Sequence, residues 1–199
     1  MAMNFHLETG LEILPMPGEQ RSGDTGMIEA KDGLLTVTLI DVLGHGDQAA
    51  DLADQACRAL SVLGDLQPLA TIEHLHQQFR GSRGMVASCA SIHVDTGILE
   101  YCGIGNISAR IFGPLTHQFV NRDGVVGYRM VSPKTHMFQL QAGDVFVMHS
   151  DGITSRFYNE DIGSKLDLPA QKLAEHIMHT YSKGADDASC LVVKVQACR

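Results

Sequence analysis

No apolar run in this chain approaches the roughly 20 residues that a membrane-spanning helix needs, so a soluble protein without a membrane partner is expected. The first ten residues, M-A-M-N-F-H-L-E-T-G, lack a basic segment followed by an apolar core. No secretory signal is therefore expected, and the cytoplasm is the expected compartment. The five cysteines, at 57, 89, 102, 190 and 198, are odd in number, form no C-x-x-C and sit mostly in apolar segments. Reduced core thiols follow, not a disulfide framework. Lysine and arginine are scattered, and the formal charge is −8. That disfavours nucleic acid, whose binding needs a clustered basic surface to displace counterions. Also missing are G-x-S-x-G, H-E-x-x-H and a P-loop lysine, which removes serine-hydrolase, zinc-protease and nucleotide-phosphatase readings.

With 44% hydrophobic and 19% charged residues the 199-residue chain has an ordinary globular composition. No repeat, linker or low-complexity tract divides it, so one domain over residues 1–199 is expected, long enough to bury about 70% of its unfolded surface. From Gly26 to Asp41 the pattern is strand, K-D-G turn, strand; Asp-Gly between two such runs signals a hairpin. Asp47 to Leu63 carries Leu52, Ala56, Leu60 and Leu63 on one helical face, with Gly64 as the stop. A second helix starts near Pro68 with Leu69, Ile72, Leu75 and Phe79 in helical spacing, and ends in the Gly81 to Gly84 loop. Met85 to Phe146 reads as a β-meander, Pro169 to Tyr181 as a last helix, and Ala188 to Val195 as a final strand. The order implies an α+β fold with helices packed on antiparallel sheets.

Four acidic motifs stand where strands give way to turns: S-G-D at Ser22 to Asp24, D-V-L-G-H-G at Asp41 to Gly46, S-D-G at Ser150 to Gly152, and Asp186-Asp187. Each alone is an ordinary turn. Together they can bring Asp24, Asp41, Asp151 and Asp186 to one point as oxygen ligands for hard divalent cations, in a binuclear site with metals about 3.5–4 Å apart.

The order of these motifs, joined by A-G-D-V-F-V-M-H-S-D-G-I-T and D-D-A-S and by the intervening G-M-V-A-S-C-A-S-I, L-E-Y-C-G-I-G-N and G-V-V-G-Y, resembles the metal-dependent protein phosphatase 2C (PPM) superfamily. More narrowly it resembles the bacterial SpoIIE-type branch, and within it the bare catalytic domains of the RsbX-like kind. The resemblance runs from about Glu19 to Val195. It implies an αββα sandwich of two antiparallel sheets flanked by helices, and removal of phosphate from serine or threonine. The implied partner is a phosphorylated STAS-domain stressosome protein of the RsbS/RsbR kind. It also implies two Mn²⁺ or Mg²⁺ ions, with Asp41 as the bridging ligand and the Val42 main-chain carbonyl as a further oxygen. Asp24 flanks one metal, Asp151 and Asp186 the other, with Asp187 as the alternative. A hydroxide held between the two ions would attack phosphorus in line, with no phosphoenzyme.

The chain departs from the animal members in two places. Their histidine two residues after the bridging acid, thought to assist the leaving group, is Leu43 here, with His45 close by. Their phosphate-holding arginine before the first acid has its counterpart in Arg21, at a slightly different spacing. Two other readings compete. A catalytically silent relative would sequester a STAS-type partner. Alternatively, Gly44 and Gly46 in G-H-G-D-Q-A fit the dinucleotide fingerprint, although Asp65, the acid nearest the required distance, follows directly on a helix. His74 with His76, two apart on a helix, would face different ways.

Overall fold

The structure, a computed structural model, describes residues 5–63, 67–158 and 162–198; Gly64 and Asp65 lie outside them. Three strands open the chain: β1 (Phe5–Leu14), β2 (Asp24–Lys31) and β3 (Leu34–Val42). Helices α1 (Asp47–Ser61) and α2 (Pro68–Gln78) follow. Next come β4 (Met85–His93), β5 (Ile98–Ile104), β6 (Ser108–Phe112) and β7 (His117–Phe119). A short hairpin, β8 (Gly124–Val125) and β9 (Arg129–Met130), precedes β10 (His136–Gln139) and β11 (Val145–His149). Two 3-10 turns, Ser155–Tyr158 and Ile162–Lys165, lead to α3 (Ala170–Tyr181) and β12 (Ala188–Ala197).

The strands form two five-stranded sheets, ordered β1-β12-β11-β6-β7 and β10-β5-β4-β3-β2, antiparallel throughout. Three apolar layers explain the continuous hydrophobic runs. Leu35, Val37 and Leu39 of β3 meet Phe146, Met148, Leu191 and Val193 between the sheets. The alternate residues Ile40 and Val42 pack outward on α1 and α2. Val147, Cys190 and Val192 likewise face α3. Central strands apolar on both faces lose the clean alternation of a half-solvated sheet. This is the expected αββα sandwich.

The Asp32-Gly33 turn has φ of 50° and 80°, the positive pair that a two-residue type I′ hairpin needs. Pro68 occupies the first turn of α2, where its missing N–H is no loss. The cysteines are free: 89, 102 and 190 are buried, 57 is half-buried and 198 exposed. His76 accepts from the Gly127 N–H, whereas His74 bonds Gln78, so the two serve different neighbours. Strand β3 is flanked by β2 and β4, both antiparallel, so Gly44 and Gly46 do not belong to a βαβ unit and the dinucleotide reading has no fold to stand on. Among the described residues no helix is long and apolar enough to cross a membrane.

The unanticipated element is β1. It pairs with β12 over its whole length and forms the edge of that sheet, covering β12. Phe5, Leu7 and Leu11 reach the inter-sheet core, and Glu8 accepts the Ala170 N–H at 2.9 Å, capping α3.

Candidate active site

The acidic ends of the two sheets meet at one end of the sandwich. Asp24 and Asp41 are register partners across β2 and β3. After Val42 the chain turns through Gly44 and Gly46, with φ of 80° and 75°, into α1. The Val42 N–H donates to Gly23 O at 3.1 Å and the Leu43 N–H to Gly84 O at 3.1 Å, which holds this turn between two neighbouring loops. From the other sheet, β11 runs into Ser150-Asp151-Gly152 beside the start of β12. There the Ser150 N–H donates to Ser189 O, and the Ser189 N–H donates to the Ser150 hydroxyl.

A cavity of about 490 Å³ opens between these ends, lined among others by Asp41, Val42, Asp151 and Asp186, with Asp123 and Asn106. Burial pushes the Asp41 carboxyl up to about 8, and the charges of Asp24, Asp151, Asp186 and Asp187 add to the rise. Burial also raises Asp24 to about 6, against the opposing hydrogen bonds from Ser150 and Ser189. Among the described residues, no three His, Cys, Asp or Glu side chains surround one point closely enough to hold an ion as they stand. The donor chemistry nevertheless fits a hard divalent cation. Among the described residues the lining has carboxylates and no thiol or imidazole, and the neighbouring acids add to the rise at Asp41, a repulsion that a cation would relieve.

The individual acids differ in setting. Asp24 is buried, and its Oδ2 accepts from the Ser189 hydroxyl at 2.7 Å. Asp151 accepts from Asn106 Nδ2 at 2.8 Å. Asp186 is exposed at the cavity wall, whereas Asp187 is buried away from it. Both Asp187 oxygens accept backbone N–H groups at 2.7 Å, from Met16 and Gly23, so this carboxylate ties the S-G-D loop to the start of β12. Arg21 is not at the cavity: its guanidinium forks onto Asp51 and Asp54 of α1 at 2.7 and 2.8 Å. His45 is also outside the lining and faces Glu19 at 3.2 Å.

Sequence reasoning assigned no site role to Asn106, the last residue of L-E-Y-C-G-I-G-N, or to Asp123. It also passed over His149. Burial depresses this imidazole to about 4. A neutral ring then donates from Nδ1 to Ser150 O at 2.8 Å and accepts at Nε2 from the Tyr158 hydroxyl at 2.6 Å, fixing the approach to Asp151.

Two antiparallel sheets between helices, with carboxylates gathered at the strand ends, make this a protein phosphatase 2C-like fold. The chain belongs to the family described as Stage II sporulation protein E (SpoIIE), which matches residues 31–196. Among solved structures it is similar to a chain from work on the bacterial stressosome as a modular system adapted to control secondary messenger signaling. That match has 26% identity and a TM-score of 0.81, covering 95% of this chain and all (100%) of that one. It is similar to RsbX in complex with magnesium, with 22% identity, a TM-score of 0.83 and 96% of each chain covered. The S. agalactiae serine/threonine phosphatase matches at 16% identity and a TM-score of 0.79, over 96% of this chain and 100% of that one. No curated protein matches the sequence.

Proposed function

We propose that this chain is a Mn²⁺- or Mg²⁺-dependent phosphoserine/phosphothreonine protein phosphatase that acts on STAS-domain regulators in an RsbX-like, cytoplasmic, signal-resetting role. The observation that carries the reading is the convergence of Asp41, Asp151 and Asp186, from three distant segments, on one cavity. The likeness to a stressosome chain and to magnesium-bound RsbX supports the substrate class and the metal.

Asp41, with the Val42 carbonyl beside it, would be the ligand shared by two ions, with Asp24 helping to hold one and Asp151 and Asp186 the other. The two N–H groups on Asp187 favour Asp186 for the ligand role. When bound, two such ions lower the pKa of water and offset charge on the phosphoryl oxygens. The protein's own part is positional: Asn106 orients Asp151, Ser189 orients Asp24, and Asp187 keeps the S-G-D loop against β12. His45 and Arg21 are left out of this role, since both are paired outside the cavity lining.

The test is hydrolysis of a generic phosphate ester and of a phosphorylated STAS domain. Turnover should require added manganese or magnesium, vanish with a chelator and return when metal is restored. Stable complex formation with the STAS domain and no turnover under any divalent metal would replace the enzyme with the sequestering module.

A further inference from the structure

Among the described residues, the cavity is lined by four carboxylates, Asp41, Asp123, Asp151 and Asp186, and by no lysine or arginine. A phosphate monoester carries close to two negative charges near pH 7, and a guanidinium at the entrance would add charge-assisted hydrogen bonds to its oxygens. Arg21 is committed to Asp51 and Asp54 on α1. Lys183 lines a separate cavity of about 340 Å³, divided from the first by the hydrogen-bonded pair Asn106 and Asp151 that both share.

Arg83 is placed differently. It sits in the loop between α2 and β4, and its guanidinium lies flat against Gly44 of the cavity wall. A Cβ added to Gly44 would lie 3.5 Å from Nη1, 3.6 Å from Cζ and 3.7 Å from Nη2. These are ordinary contact distances, so the guanidinium packs against the Gly44 backbone, whose φ of 80° is what calls for glycine. The loop is held from both sides: Gly84 O accepts the Leu43 N–H at 3.1 Å, and the Gly81 N–H donates to Gly127 O at 3.0 Å, beside the β8–β9 hairpin. The side chain is exposed and makes no ion pair among the described residues. Its two-pronged donor face is therefore available at the rim, on a fixed base, next to the turn that follows Asp41.

We infer that Arg83 is the phosphoryl-binding residue of this site, engaging the substrate's phosphate oxygens at the cavity entrance; the assignment rests on the phosphatase reading. A planar guanidinium with parallel N–H donors matches phosphate geometry as a lysine does not.

The experiment measures inorganic phosphate binding to the manganese-loaded full chain by calorimetry, alongside kinetics on a phosphoserine peptide. Arg83→Ala should weaken phosphate binding and raise KM by about 10–100-fold while kcat stays within about threefold, as loss of a charge-assisted bidentate contact predicts. Arg83→Lys should recover part of the affinity. Arg80→Ala, on the same loop, removes the same charge and should leave binding within about twofold. Equal weakening by Arg80→Ala would reduce the effect to diffuse surface charge and overturn the assignment, as would unchanged binding in Arg83→Ala. A wild-type chain that binds phosphate through Arg83 but hydrolyses nothing would sink the catalytic reading and leave this one standing. Turnover that is indifferent to Arg83 would do the reverse, and no phosphate binding at all would overturn the Arg83 assignment.

Discussion

Asp41→Asn is expected to abolish turnover, a loss of about 10³-fold or more or roughly 4 kcal/mol of transition-state stabilisation, without unfolding the protein. Asparagine keeps the shape of the side chain at the end of β3 and removes the charge on which a bridging role depends. Asp151→Asn should do the same from the other sheet. Near-normal activity in either variant would remove the binuclear reading. The stability readout has a definite sign. A carboxyl that titrates near 8 when folded and near 3.8 when unfolded binds its proton more tightly in the native state. Its contribution is present in full below about 3.8 and is lost as pH rises through 8. The metal-free wild type should therefore lose stability over that window, whereas Asp41→Asn should lose much less of it. Denaturant unfolding at pH 5 and 8, with chelator present, checks this; parallel losses in both proteins would show that the shift is not centred on Asp41.

Gly152→Ala is the second large effect. A Cβ there would stand 2.0 Å from Asp187 O and 2.9–3.0 Å from Cβ and Cα of Ala188, so the clash is with backbone and cannot be relieved by a rotamer change. Over-packing of this kind costs about 1–3 kcal/mol or more. Relief requires the S-D-G turn to move away from the start of β12, and with it Asp151 from Asp186. Displacement by about 1 Å is enough for a 10²-fold loss of activity. Unfolding midpoint and kcat/KM should thus fall together. Gly143→Ala is the comparison: a Cβ there meets nothing within 4 Å and only the strain of φ 96° opposes it, about 1–2 kcal/mol, with activity kept. Equal effects of the two substitutions would refute the steric argument.

The elements easiest to read in advance were those with strong local punctuation. Asp32-Gly33 marked its hairpin, and Pro68 and Pro169 marked two helix starts to within a residue. Strand β1 escaped although Phe5, Leu7, Leu11 and Ile13 alternate along it, because its partner β12 lies at the far end of the sequence and no turn motif brackets it. The acids were legible as a group because each follows or precedes an apolar strand. What was not legible was the direction of neighbouring side chains. Asp186 and Asp187 are adjacent letters, yet one borders the cavity and the other holds the Met16 and Gly23 amides. Arg21 has the right chemistry for phosphate, but Asp51 and Asp54 lie three apart on the outer face of α1 and capture it. Arg83, Asn106 and Asp123 come from loops, where composition signals a turn without saying what the turn faces.

Asp24 and Asp41 ride on one sheet, Asp151 and Asp186 on the ends of strands in the other, and the β-ladders run within each sheet. At this end the Ser189–Asp24 and Asp187–Gly23 hydrogen bonds act as rivets between the two halves. A slip of one layer over the other would change the Asp41–Asp151 spacing without breaking a ladder hydrogen bond. The separation of the acids is thus a gauge of how the two halves of the sandwich are aligned.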